Sequence, residues 1–345
     1  MNQRQRLLVL AVVVLVALGG SATYLLTRKA AVATTAGSAP TVPGAAPLPL
    51  TSLAAVDAGP RIVFRSSALG EGYGMVSMVA LADPTGPRAF TTTSCDRIYA
   101  TTASAICLLA AAPPARGAAA DILSPRFELQ QSLPLLGLPT RARLSPDGSW
   151  AASTAFRSGD SYANAGQFST QTLIRRTDGT SSVDLENMPL FQDGTQITAP
   201  DRNFWGVTFA ADNDSFYATA AWGGATWLVR GGIASNRMDT VQQDAECPSL
   251  SPDGTKIVYK KIGGRSPGAW RLTVFTLATG VETELAEPRP VDDQAEWLDD
   301  NTVLYGMPRS GLSETSVTDL FSVPTDGTGQ PTLLIAGASS PSVIR

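Results

Sequence analysis

The chain has 345 residues, 43% of them apolar, enough for one large core or one array of repeats. Four of its 26 basic residues (Arg4, Arg6, Arg28 and Lys29) precede the first acid, Asp57. That leaves 22 basic against 30 acidic groups, a balance with no global attraction for nucleic acid. Histidine is absent, which excludes a Ser-His-Asp triad, a histidine general base and histidine-ligated metal.

Residues 7–26 (LLVLAVVVLVALGGSATYLL) carry no charge. As a helix they would span roughly 30 Å, the thickness of a bilayer core. Arg4, Arg6 and the amino terminus precede the stretch and Arg28 and Lys29 follow it, a small bias toward an inside N-terminus. The expectation is a cytoplasmic tip and one transmembrane helix in residues 1–29, with the rest of a single-pass cell-membrane protein outside. A small-x-small site at Ala31, Val32 and Ala33 keeps open a cleaved signal peptide and a secreted product. Residues 30–60 are Ala, Thr, Pro, Gly and Ser with almost no charge, the composition of a semi-extended tether.

The folded part is expected over residues 61–345, as short strands separated by Gly, Pro and Asp. Residues 246–261 (ECPSLSPDGTKIVYKK) read as two strands around a turn. Pro252 presets φ, Asp253 bonds its own backbone and Gly254 takes the left-handed conformation. In the second strand Ile257 and Tyr259 alternate with Lys256, Val258 and Lys260. The unit recurs as LSPDGSWAAS at 144–153, FAADNDSFYAT at 209–219 and WLDDNTVLYG at 297–306. Strand–turn spacing divides the region into six four-stranded units. The first unit lacks its innermost strand, and SPSVIR at 340–345 resembles the missing piece. The expected fold is all-β: a six-bladed propeller closed by the C-terminal strand. No stretch of this region has a helical period.

These turn repeats, together with DRNFWGVTF at 201–209 and VDDQAEWLDD at 291–300, resemble the propeller of TolB-type proteins. They look most like a membrane-anchored TolB-like group from high-GC Gram-positive bacteria. The resemblance covers roughly residues 61–345 and implies a cell-envelope protein that docks onto partners. The chain departs from the TolB plan in having no room for an α/β domain ahead of Arg61.

In a propeller the segments entering the innermost strands share one face with the loops joining second and third strands. That face is expected to gather Asp96, Arg97, Arg141, Arg143, Asp201, Asn203, Glu246, Asp292, Asp293 and Gln294 at the channel mouth. The loop 156–168 would add Arg157, Asp160 and Tyr162. Such groups can pair with one another and cap strands, face a protein or peptide, or hold a small ligand, sugar or Ca²⁺. Asp212, Asn213 and Asp214 faintly echo a calcium loop but occupy the turn slot of a hairpin. Cys95 and Cys107 flank one hairpin and suit a disulfide in an exported protein, leaving Cys247 as a buried thiol. Trp205, Trp222, Trp227, Trp270 and Trp297 could form a sugar-stacking surface, but most fall in strands and are expected in packing, with Trp222 the best candidate for exposure.

The resulting expectation is a tethered, non-catalytic scaffold without a cofactor that binds an envelope protein or peptide and no nucleic acid. The alternatives are a lactonase- or lyase-like enzyme using metal-bound channel carboxylates, or an envelope carbohydrate sensor.

Overall fold

A computed structural model describes residues 49–114, 116–157, 169–309 and 317–345; the expected anchor at 7–26 lies outside them. Blade 1 holds β1 (Arg61–Ser66), β2 (Met75–Ala80) and β3 (Ala89–Ser94), with the last strand of the chain on its inner side. Blade 2 follows as β4 (Arg97–Ala100), β5 (Ala105–Leu109), β6 (Ala119–Leu123) and β7 (Leu129–Pro134). Blade 3 is β8 (Leu138–Leu144), β9 (Trp150–Phe156), β10 (Thr170–Arg176) and β11 (Ser182–Asp184). An unanticipated hairpin, β12 (Leu190–Gln192) and β13 (Thr195–Ile197), then adds to the outer edge of blade 4. The rest of blade 4 is β14 (Asn203–Phe209), β15 (Ser215–Trp222), β16 (Ala225–Gly232) and β17 (Arg237–Gln243). β12 runs parallel to β17, so this sheet has six strands rather than the expected four. Blade 5 is β18 (Glu246–Leu250), β19 (Lys256–Lys261), β20 (Arg271–Thr276) and β21 (Val281–Glu284). Blade 6 is β22 (Glu296–Asp299), β23 (Thr302–Pro308), β24 (Thr318–Pro324) and β25 (Thr332–Ile335), and β26 (Ala338–Ile344) closes blade 1.

Closure is antiparallel pairing of β26 with β1, Ile344 opposite Arg61 and Ala338 opposite Ser66. β26 is also stitched sideways to blade 2. The Ser340 hydroxyl takes the Ile98 amide at 3.1 Å and donates to its carbonyl at 2.8 Å, and Ser342 Oγ accepts from the Ala100 amide at 3.0 Å. Buried Arg88 donates to the Ala336 carbonyl at 2.6 Å and the Gly337 carbonyl at 3.3 Å, holding the entry to the closing strand. Apolar packing follows the same logic around the ring. Ile62 and Phe64 of blade 1 pack with Leu304 and Leu320 of blade 6, and Val258 of blade 5 packs with Trp297 and Val303 of blade 6. Each such fully buried aliphatic or aromatic side chain is worth about 1.5–3 kcal/mol.

Because every blade is pressed between two others, a middle strand is covered on both faces. In β19 both alternating sets are therefore covered: Val258 and Lys260 are as buried as Ile257 and Tyr259. The acidic turns form as expected and repeat one bond pattern. In one, Ser251 Oγ donates to Asp253 Oδ1 at 2.5 Å and Gly254 N to the Ser251 carbonyl at 2.9 Å; in the other, Ser145, Asp147 and Gly148 do the same at 2.6 and 2.8 Å. The Asp212–Asp214 segment is a hairpin turn with Asn213 at φ 59°. Cys95 and Cys107 are joined by a disulfide, and Cys247 is a buried free thiol.

Order also reaches back into the segment assigned to the tether. Thr51 N donates to the Arg88 carbonyl, and the four-residue helix α1 (Leu53–Val56) buries Val56 among blade 1 and 2 side chains. No described helix is long and apolar enough to cross a membrane.

Candidate functional site

Bulges in the innermost strands decide which side chains reach the channel mouth. Register shifts interrupt β8 between Pro139 and Arg141, β14 between Trp205 and Thr208, and β18 between Glu246 and Ser249. An extra residue at such a point re-aims its neighbours. The bulges of adjacent blades also nest. Gly206 lies at φ 66°, and a Cβ there would come within 2.8 Å of Cys247 Cα, so the close approach of β14 to β18 requires glycine.

The predicted mouth residues separate into two clusters. The first is on the axis. Asp293 is buried, accepts from Gly306 N at 2.9 Å and pairs with Arg97 at 3.3 Å. Asp292 receives Lys260 Nζ at 2.6 Å and Arg141 at 3.7 Å. Arg143 pairs with Glu296 at 3.3 Å, donates to the Ala295 carbonyl at 2.8 Å and lies over the Tyr99 ring. Gln294 does not face an open channel. Its amide Nε2 donates to the carbonyls of Val207 and Pro248, at 3.1 and 2.8 Å, tying blade 6 to blades 4 and 5. The space left among Arg97, Arg141, Arg143, Asp293 and Gln294 is about 10 Å³, room for about one water.

Electrostatics here are those of a closed network. Burial works against the Asp292 carboxylate, but Lys260, Arg141 and Arg97 hold its pKa below the usual range. Burial also opposes the Lys260 ammonium, yet neighbouring Cys247, Asp292 and Glu246 raise its pKa above that of an ordinary lysine. For Glu296, burial wins over Arg143 and Arg345 and the pKa rises. Among the described residues no group of three or more His, Cys, Asp or Glu side chains is placed to hold a metal ion.

The second cluster is off the axis, where blades 4 and 5 meet. Asp201, Asn203 and Glu246 line a cleft of about 920 Å³ with Trp205, Trp222 and Trp270. Trp222 stacks on Trp227, ring centroids 5.2 Å apart and 12° from parallel. Buried Glu246 accepts from Trp270 Nε1 at 2.8 Å and is the cross-strand partner of Lys260, whose Nζ lies 4.1 Å from the Trp270 ring centre. Burial outweighs Lys260 and Trp270 and pushes the Glu246 carboxyl pKa up. Asp201 accepts from Gly223 N at 2.7 Å, and Asn203 Oδ1 accepts from Thr170 N at 2.9 Å.

Of the remaining expected residues, Arg157 is exposed at the end of β9, where its amide bonds the Ser169 carbonyl, and Asp160 and Tyr162 lie outside the described residues. Asp96 is exposed and accepts from Ala110 N. Trp205 and Trp297 are buried, as expected of packing residues, whereas Trp222, Trp227 and Trp270 are half-buried. Sequence reasoning missed Lys260 and Glu296, and it expected Trp270 in packing rather than in a cleft wall. A signal for Lys260 was present in β19: the apolar Val258 shares its side of the strand, as in a strand buried on both faces.

No protein-family model matches this chain, and no curated protein matches it. Among solved structures, TolB from Acinetobacter baumannii is 17% identical, with 83% of this chain and 67% of that one covered at a TM-score of 0.59. A chain from the nidogen/laminin complex is 9% identical, with 83% of this chain and 98% of that one covered at a TM-score of 0.56. At these identities the likeness is one of fold, and the fold is a TolB-like six-bladed propeller.

Proposed function

We propose that this chain is a non-catalytic, protein-binding propeller held on the extracytoplasmic side of the cell membrane by residues 7–26. The observation that carries the reading is the self-neutralised axial network. Asp292, Asp293 and Glu296 are each taken up by a cation of the chain itself, Lys260 with Arg141, Arg97 and Arg143 respectively. An enzyme using metal-bound carboxylates would need several of them converging on one point, with their negative charge uncommitted. The same face carries apolar anchors of the kind a protein partner covers: Leu136 is 74% exposed, Leu138 56% and Tyr73 44%. The Cys95–Cys107 disulfide supports an oxidising compartment. The nidogen/laminin structure, itself a protein complex, adds that a chain of similar fold takes part in protein assembly.

The test is site-specific photo-crosslinking in intact cells, with the reactive residue at Leu136 on the mouth face or at Val281, which is 56% exposed on an outer strand. A discrete adduct from Leu136 that Leu138→Asp abolishes, with none from Val281, is expected. Equal labelling from both positions, or none from either, overturns the reading.

A further inference from the structure

The cleft between blades 4 and 5 is separate from the proposed protein-docking surface, and the state of its own polar groups restricts what it can take. Cations are disfavoured because the natural cation position is filled: Lys260 lies over Trp270 and opposite Glu246, where an incoming ammonium or guanidinium would go. Anions are disfavoured because the lining carries Asp201, Asp244 and Glu246, while its arginines are committed. Arg265 makes a two-pronged contact with Glu284 at 2.7 and 3.0 Å, and Arg202 donates to the Ile197 and Ala199 carbonyls, both at 3.1 Å.

What remains is rich in acceptors. Asp244 accepts from the amides of Ile262 and Gly263, Asp201 from Gly223 and Glu246 from Trp270, and a carboxylate has about four lone-pair sites in all. A ligand for this cleft is therefore uncharged and supplies hydroxyl donors. The indoles of Trp222 and Trp270 line the cleft from two different blades, and the stack on Trp227 fixes the orientation of Trp222 before any ligand arrives. A neutral molecule with hydroxyl donors at its edge and C–H faces above and below is a sugar ring. We infer that the cleft walled by Trp222 and Trp270 is a binding site for a neutral saccharide, with the carboxylates of Asp201, Asp244 and Glu246 accepting from its hydroxyls.

The experiment uses the full chain in a detergent without a sugar head group. It is titrated by tryptophan fluorescence and calorimetry with neutral gluco-, manno- and galacto-oligosaccharides, an oligogalacturonate and an Arg/Lys-rich peptide. At least one neutral oligosaccharide is expected to bind and to shift the fluorescence. Trp222→Ala is expected to weaken that binding about tenfold while keeping a cooperative melt at a lower temperature, as loss of the stack on Trp227 requires, and Trp222→Phe restores most of the binding. Loss of the melting transition in Trp222→Ala would move the test to Asp201→Asn at the exposed rim, expected to weaken binding in the same direction. Absence of binding by every neutral oligosaccharide, binding indifferent to Trp222→Ala and Asp201→Asn, or preference for the oligogalacturonate or the basic peptide overturns the inference. None of these outcomes bears on the crosslinking from Leu136.

Discussion

Single side chains hold neighbouring blades together by spending their polar groups on the next blade's backbone. Gln294 is the clearest case, because two carbonyls of two other blades depend on one amide. Gln294→Ala strands both acceptors in a buried site, and the expected cost is about 1–3 kcal/mol, read as a lower urea midpoint at constant slope. Glu186 makes a pH-dependent contribution. Its carboxyl accepts from Thr172 N and Thr170 Oγ1, and burial, reinforced by Asp184, pushes its pKa up to about 9. In the unfolded chain it titrates near the ordinary glutamate value of about 4.3. Its contribution is therefore fully present below that value and falls steadily as pH rises toward about 9. Glu186→Gln cannot ionise, so its stability relative to the parent should improve between pH 5 and pH 9 by urea titration; a constant difference would refute the assignment.

At the scale of elements, the fold depends on closure and on local staples. β26 provides the inner strand of blade 1 and two serine contacts to blade 2, so a chain ending at Gly337 loses both and uncovers the whole inner edge of β1. Such a chain is expected to lose its cooperative thermal transition, and retention of a sharp melt near the parent temperature would show that the ring survives open. The Cys95–Cys107 bridge closes a short loop, with a sequence separation of 12, across the first hairpin of blade 2. A loop of this size is worth roughly 2–4 kcal/mol. Replacing both cysteines by serine should lower stability by about that amount while leaving the sheet content by circular dichroism unchanged.

For the whole molecule, the main consequence of six stacked sheets is two-sided burial. A strand in a lone sheet shows one face to water, whereas here β9, β15, β19 and β23 lie between neighbouring blades and are covered on both sides. Charged groups that reach the centre must then neutralise one another, which is why Lys260, Asp292 and Arg141 meet although blades 5, 6 and 3 supply them. Wide open volume appears instead beside the axis, between the loops of blades 4 and 5. The space among Arg97, Arg141, Arg143 and Asp293 is small and the cleft beside it is large, so binding is expected at the rim and flank.

The sequence alone determined the repeat, the turn chemistry and the closing strand, because these depend on short-range rules. Ser251, Pro252, Asp253 and Gly254 carry their turn chemistry locally, as do Ser145, Pro146, Asp147 and Gly148, and an incomplete first unit matched by a strand-like C-terminus implies a ring. It also brought the two cysteines of one hairpin into plausible proximity. Tertiary structure alone decided what the mouth residues do. Asp292 and Asp201 read alike in one dimension, yet one joins Lys260 on the axis while the other lines the cleft. Lys260 read only as one position of an alternating strand, and the fold makes it a buried partner of Asp292 and Trp270. The hairpin of β12 and β13 carried no repeat signal, since three-residue strands are too short to show a period. Which groups meet is set by blades distant in sequence, and periodicity and spacing carry no information about that packing.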